Sequence, residues 1–323
     1  VTPADLSLTV LHAVRRAVGE GALRAPARMP ERVKVERPRP GGCGDWATNA
    51  ALQLAREAGM EPLGVARVLR PRIAEADGIE HVEITGPGFL NITLADRGSG
   101  ALVREVLDRR ERYGHGDCLE GRSFHLRHPG DVRATVMAAA VRGLLAAQGA
   151  VVHDEGEPLT LRPVPVTYDV HALGTDAAQW ALLRPAAHDR PLAPEGLLTQ
   201  SEANGLFTVR YAHARAAALL RNAAQFDIAP AYEEDVDAPR LLAALGDHPA
   251  ALEAAARHRA PDRVARHLEA TADAFLAFQH TVLPFGDEKP SAAHRSRLAL
   301  AEAAGTVLAG GLALLGISAP DYL

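Results

Sequence analysis

The side chains with the clearest chemical promise lie in one central stretch, Asn204-Gly-Leu-Phe-Thr-Val-Arg210-Tyr211-Ala-His213-Ala-Arg215. Tyr211 and Arg215 are four residues apart, so on a helix they share one face. Leu206, Phe207, Ala214, Leu219 and Leu220 recur at helical spacing, which predicts that helix. An aromatic ring beside a guanidinium suits an unstacked RNA base, because the ring offers a stacking face and arginine offers planar donors for phosphate or a base edge. The same spacing also fits an amphipathic helix with an ordinary surface tyrosine and arginine. A second set is Phe89, Asn91 and Thr93, alternate residues of a predicted strand that project from one face. Phenylalanine there can stack on a flipped-out base while asparagine reads its edge, although a core position is the competing role for Phe89. A third stretch is His128-Pro-Gly-Asp131 between a predicted strand and a helix, where the carboxylate of Asp131 would cap the helix and repel phosphate. His125, His128 and His153 either meet as a metal or acid/base cluster or are ordinary surface histidines.

The elements that must position these groups follow from periodicity. Residues 4 to 19 predict an amphipathic helix, and 32 to 36 a short strand between prolines. Gly41-Gly-Cys-Gly44-Asp45 reads as a turn whose aspartate caps a helix from Trp46 to Ala58, followed by a helix over 62 to 76. Strands over 81 to 85 and 89 to 94 are joined by Gly86-Pro87-Gly88. A helix over 98 to 115, a strand over 121 to 127 and a helix over 132 to 148 come next. From Leu198 onward, helices are predicted over 202 to 225, 238 to 245, 249 to 258, 261 to 280 and 291 to 315, an antiparallel bundle.

Composition sets limits. The 323 residues suffice for two or three domains with sizeable cores. The longest apolar run, Val307 to Ile317, is too short to span a bilayer, and no secretory leader is evident, so a cytoplasmic protein without membrane partners is expected. Cys43 and Cys118 lack the spacing of a disulfide framework or a zinc site. The net charge is −5, with 11 basic and 15 acidic side chains over 201 to 323, which excludes a non-specific backbone binder but allows local RNA contacts. Lys34 and Lys289 are the only lysines, so candidates for a catalytic lysine are few.

Two motifs then carry a family resemblance. Gly44-Asp45-Trp46-Ala-Thr-Asn49 followed by Gly86-Pro87-Gly88-Phe89-Leu90-Asn91-Ile92-Thr93-Leu94 resembles the N-terminal additional domain of arginyl-tRNA synthetases. The stretch from Asn204 to Arg215 resembles the signature of that family's anticodon-binding helix, with Gly205 in place of proline and Arg210 in place of glutamine. The tail from Leu315 to Leu323 resembles the family's ending, although leucine stands where methionine is usual. The resemblance implies D-loop contact through Phe89 and Asn91, with Thr93 on the same face, and anticodon-loop contact through Tyr211 and Arg215. Asn204 and Arg210 of the same signature complete the candidate RNA-binding set.

The middle departs from the family. Asp131 replaces the second histidine of the His-x-Gly-His signature, and only residues 154 to 166 stand where several βα units of roughly 30 residues each and a lysine-bearing loop would be. The expected architecture is an α+β N-terminal domain over 1 to 97, a vestigial α/β segment over 98 to 200, and an all-α helical-bundle, anticodon-binding-like domain over 201 to 323. The expected function is that of a non-catalytic paralogue that binds tRNA, arginine tRNA above others, with no catalytic residue, cofactor or metal. A protein-interaction or regulatory scaffold that has lost RNA binding is the alternative, and residual arginine-tRNA ligase activity is a weaker one. A tRNA-consuming enzyme is a candidate protein partner.

Overall fold

A computed structural model describes residues 3–24, 33–36, 38, 43–76, 78–94 and 99–323. The chain divides into two compact units, Val1–Arg97 and Gly98–Leu323. The expected boundary after residue 97 lies outside the described residues, as do Arg32, Gly41 and Gly42 of the expected first strand and turn.

The first unit runs α1 (Pro3–Gly19), β1 (Val35–Glu36), β2 (Trp46–Thr48), α2 (Ala50–Ala58), α3 (Pro62–Ala74), β3 (Ile79–Thr85) and β4 (Phe89–Leu94). Its strands form an antiparallel sheet in the order β1-β2-β4-β3. Leu90 and Ile92 point to one side of β4 and share a core with Leu6, Val10, Leu69 and Ile73, so the helices cover one face and leave the other to Phe89, Asn91 and Thr93. The helix expected from Trp46 begins at Ala50 instead. Trp46–Thr48 is drawn into β2 because the backbone of β4 needs a partner on that side. Asp45 accordingly caps no helix: its Oδ2 accepts the Leu94 amide at 2.9 Å. Thr48 serves the helix start, accepting the Ala50 amide through Oγ1 at 3.2 Å. In the β3–β4 turn, Gly88 has φ +138°, and a Cβ there would lie 2.9 Å from the Pro62 carbonyl, so only glycine fits.

The second unit opens with α4 (Ser99–Arg109) and a 3-10 turn, Arg110–Arg112. It continues with β5 (Ser123–Arg127), α5 (Val132–Ala147), β6 (Val151–Val152) and β7 (Glu157–Thr160). These strands form a parallel sheet in the order β6-β5-β7, with α5 as the crossover from β5 to β6. Asp131 caps α5, accepting the Ala134 amide at 3.0 Å. After a 3-10 turn at His171–Leu173 come α6 (Thr175–Leu183), α7 (Gly205–Ala224), α8 (Pro239–His258), α9 (Pro261–Phe278) and α10 (Ala292–Leu314). The expected break near residue 246 is absent, and α8 runs through Pro249. Leu245, His248 and Leu252 are buried on either side of the proline, so packing outweighs the lost amide hydrogen bond. Residues 98 to 200 and 201 to 323 also share a single core, from Val103 through Trp180 to Ile317. A sheet of three short strands cannot bury its own apolar face, and α5 packs on it and in turn on α8, α9 and α10. Helix α10 has the length and apolarity of a membrane span, with mean hydropathy 1.3, but 67% of that window is buried within the unit.

Two buried polar features hold this core. The Arg133 side chain on α5 is fully buried, has no carboxylate partner among the described residues, and donates to the carbonyls of Leu182 (3.0 Å), Val164 (2.8 Å), Asp189 (2.6 Å), Pro185 (3.3 Å) and Ala186 (2.9 Å). Elsewhere Tyr113 stacks on His248 (ring centroids 5.8 Å apart) and His248 packs against His267 (5.2 Å). Burial pushes the His248 imidazole well below its ordinary range and that of His267 down to about 4, with the nearby Asp247 opposing the latter.

Arg133→Met should destabilise the protein by about 3 to 5 kcal/mol in urea unfolding, because it strands buried carbonyls as well as removing the cation. The histidine pair predicts an acid response. Between the ordinary imidazole pKa and about 4, the unfolded chain binds protons that folded His267 does not, so stability is complete above about pH 6.5 and falls as the pH drops toward 4. His267→Gln should remove about 2 kcal/mol of the stability lost between pH 7 and pH 5, measured by denaturant unfolding at the two values.

Candidate nucleic-acid interface

Helix α7 begins at a heavily built corner. Asn204 is 7% exposed: Oδ1 accepts the amides of Leu206 (3.2 Å) and Phe207 (3.4 Å), and Nδ2 donates to the carbonyls of Leu197 (2.8 Å) and Thr199 (2.9 Å). Its amide is spent on capping, which corrects the expectation that it contacts RNA. A Cβ at Gly205 would meet the Glu269 carboxylate, which is paired with Arg184 at 2.8 Å and would have to shift. Beneath the corner lies Trp180, fully buried.

From that corner α7 presents an aromatic stripe. Tyr211 is 40% exposed and stacks on Phe207, with centroids 5.7 Å apart and planes 19° from parallel. Arg215, one turn on, donates through Nε to Gln279 Oε1, which orients its guanidinium beside the stripe. Arg210 flanks the stripe, 3.6 Å from Asp176 Oδ2 and 3.4 Å from Ser318 Oγ. The chain after α10 crosses the same helix. His213 Nδ1 meets the Pro320 carbonyl at 3.1 Å, Arg221 donates to the Asp321 carbonyl at 3.2 Å, and the Arg221 guanidinium lies 4.0 Å over the Tyr322 ring. A cavity of about 310 Å³ opens between α6, α7 and this tail, lined among others by Asp176, Gln200, Phe207, Arg210 and Leu323. Its aromatic wall, guanidinium and carboxylate suit a polar heterocycle that both stacks and hydrogen-bonds.

In the first unit the three expected residues share one face of β4 but differ in exposure. Phe89, 40% exposed, stands at the start of β4, and Thr93 is half-buried. Asn91 is 5% exposed, and its Nδ2 donates to Thr85 Oγ1 (2.7 Å) and Cys43 Sγ (3.3 Å). Asn91 therefore braces the turn that carries Phe89 and does not offer a free amide edge, a correction to its expected role. Beside it, Glu83 and Asn91 together hold the Cys43 thiol, Glu83 raising its pKa most. The three histidines of the middle segment do not converge: His153 Nε2 lies 3.0 Å from Ser123 Oγ, His125 lies 3.7 Å from Asp154, and His128 accepts the Gly130 amide. Among the described residues no group of three or more potential metal ligands comes together.

By helical spacing alone Phe207 reads as an apolar helix position. Its spacing to Tyr211, identical to that of Tyr211 to Arg215, is the signal that extends the stripe by a ring. Asp176 and the tail contacts of Arg210, His213 and Arg221 have no such signal, because they join positions far apart in the chain, Arg210 and Ser318 by 108 residues and Arg221 and Asp321 by 100.

Both units thus carry exposed aromatics on surfaces of the kind that RNA-recognition modules use. Residues 6–94 match the model of the arginyl tRNA synthetase N terminal domain, and residues 209–323 that of the DALR anticodon binding domain. The two ends of the chain are thus each similar to a domain described for arginyl-tRNA synthetases or for anticodon binding. It is 40% identical to the arginine–tRNA ligase of Micrococcus luteus over 166 residues, which cover 47% of this chain and 30% of that ligase. It is 26% identical to the Frankia alni arginine–tRNA ligase in an alignment of 555 positions that covers 100% of both chains. Among solved structures, the Thermus thermophilus arginyl-tRNA synthetase superposes with a TM-score of 0.69 at 13% identity, with each chain covered in full. The Plasmodium falciparum enzyme superposes with a TM-score of 0.66 at 8% identity, again over both full chains. The first of these ligases is matched over less than a third of its length.

Asn204→Ala should lower stability by about 2 kcal/mol, the cap and the buried carbonyl contacts being lost together, as read by thermal or urea unfolding.

Proposed function

We propose that this chain binds tRNA without aminoacylating it, engaging the anticodon loop through α7 and the D-loop through Phe89. The observation that carries the reading is the Phe207–Tyr211 stack beside Arg210 and Arg215, on the helix where the anticodon-binding match begins. An exposed ring already stacked on a second ring is ordered before RNA arrives, so a base adds to the stack with little further loss of side-chain freedom. Arginine tRNA is the favoured partner, following the relatives, and the cytoplasm the compartment.

Support for a missing catalytic function comes from the middle. The chain of 323 residues aligns over 555 positions with the Frankia alni ligase, so a large block of that ligase has no counterpart here. The α5 N-terminus, which could meet a phosphate, is occupied by the Asp131 carboxylate. Between Lys34 and Lys289 there is no lysine to steady a transferring phosphoryl group. The acidic balance of residues 201 to 323 favours a second reading, a protein-interaction scaffold, and a complex that survives ribonuclease in co-purification would support it.

Mobility shift with an arginine tRNA transcript tests the main reading. Tyr211→Ala should weaken binding by about 1 to 3 kcal/mol, and Phe89→Ala by a similar amount through the other unit. Absence of binding at low salt, or binding unchanged by both substitutions together, would sink it. Arginine-dependent exchange of pyrophosphate into ATP should be undetectable, and its appearance would overturn the non-catalytic part.

A further inference from the structure

The second unit is acidic overall, but its basic residues are unevenly placed. Four of the 11 arginines and lysines of residues 201 to 323 fall within 257 to 266, Arg257-His-Arg259-Ala-Pro-Asp262-Arg263-Val-Ala-Arg266. This stretch forms the junction of α8 and α9, and beside it lies a cavity of about 770 Å³, larger than the one along α7. Arg259, Arg263, Arg266, His188 and His258 line it over a floor of alanines from α8 and from the segment after α6. Two carboxylates reach the same wall: Asp262 pairs with Arg266 at 3.2 Å, while Asp189 lies 3.8 Å from the His188 imidazole, beyond hydrogen-bond distance. Among the described residues, Arg259 and Arg263 have no carboxylate partner.

Arg259 is the informative residue. It ends α8 in the left-handed region, φ 52° and ψ 44°, its amide donating to the carbonyls of Ala255 and Ala256. Glycine is the residue that region favours, and an arginine there holds its backbone against preference. Its side chain lines the groove, as does that of Arg263 four residues later. The opposite wall is positioned by Arg133, which holds the carbonyls of Ala186 and Asp189 from behind.

We infer that this groove binds phosphates of an RNA backbone, with Arg259 and Arg263 as the contacting groups. The inference rests on the tRNA reading above and adds to it a site away from the α7 stripe. Guanidinium forks match phosphate oxygens in a plane, and an alanine floor gives no edge with which to read a base, so the site takes backbone and not sequence. Its place fits a stem beside the loop. Arg266 lies one helical turn before Glu269, against which the start of α7 packs, so α9 connects the groove to the base of the helix that carries the stripe.

The test is fluorescence anisotropy of the full chain with a labelled arginine tRNA transcript and with an unrelated tRNA, each over a series of salt concentrations. Arg259→Gly with Arg263→Gln is compared with the wild type and with a charge-matched control, Arg240→Gln with Arg142→Gln. Glycine suits the backbone at 259, so the melting temperature should not fall. The groove variant should weaken both RNAs alike and reduce the slope of log K against log salt by about 2, with Arg263→Gln alone reducing it by about 1, while the control keeps the wild-type slope. If the wild type binds and the groove variant keeps its slope, or changes no more than the control, the groove is not a phosphate site and the tRNA reading stands. If the wild type binds neither RNA, both fall together.

Discussion

Five main-chain carbonyls converge on the guanidinium of Arg133, and the second unit depends on that convergence. The segment from Leu161 to Asp189 has little regular structure beyond α6, so its carbonyls cannot all be satisfied by ladders. Burying such a segment would leave acceptors unpaired, each at a cost of about 1 to 3 kcal/mol. A single arginine supplies five donors from one rigid plane and so satisfies acceptors before and after α6, including the Leu182 carbonyl at its C-terminal end. A lysine has fewer donors and no fixed plane, and a carboxylate partner would compete with the carbonyls. The positive charge also faces the negative end of the α6 dipole, which offsets part of the cost of burying it.

Once α6 is fixed, the geometry of the interface follows. Trp180 of α6 lies under the first residue of α7, and Asp176 reaches both Arg210 and the Ser318 amide, the latter at 3.0 Å. The axial position of α7 is set by Asn204, and its approach to α9 by the absence of a side chain at Gly205. The exposed rings are therefore supported through a chain of contacts that begins in the middle segment. That segment has a structural task of its own, because without α6 the helix α7 would lack its footing.

Much of this was legible from the residue pattern, and the misses have physical causes. Helices α1, α3, α5, α7, α9 and α10 appear close to their expected spans because each has a long apolar face of helical period. Trp46 was misread because a capping aspartate followed by helix formers outweighs local strand signals, whereas the long-range pairing with β4 decides the outcome. Pro249 was misread for the opposite reason: the local rule ends a helix there, but buried neighbours on both sides carry it through. For the site, Tyr211 could be found from spacing, while the fates of Asn91 and Asn204 could not. Whether an amide reads a ligand or caps a backbone depends on what lies within 3 Å, and here Thr85, Cys43, Leu197 and Thr199 lie beyond the reach of any local pattern.

Charge is where average and local descriptions part. A net charge of −5 speaks against binding nucleic acid by counterion release alone, and that argument holds for the molecule as a whole. Over distances longer than the Debye length, about 8 Å at physiological salt, it loses force, because charges elsewhere on the surface are screened. What a phosphate meets at contact is the local set, and the α8–α9 junction gathers four arginines, of which Arg257 and Arg266 pair with Glu253 and Asp262. For RNA binding as proposed above, an acidic surround would have a use of its own: it would repel RNA except where stacking or a guanidinium fork compensates, and so favour discrimination between sites. On this view the acidic balance of the second unit and its few exposed arginines and aromatics belong to the same recognition device.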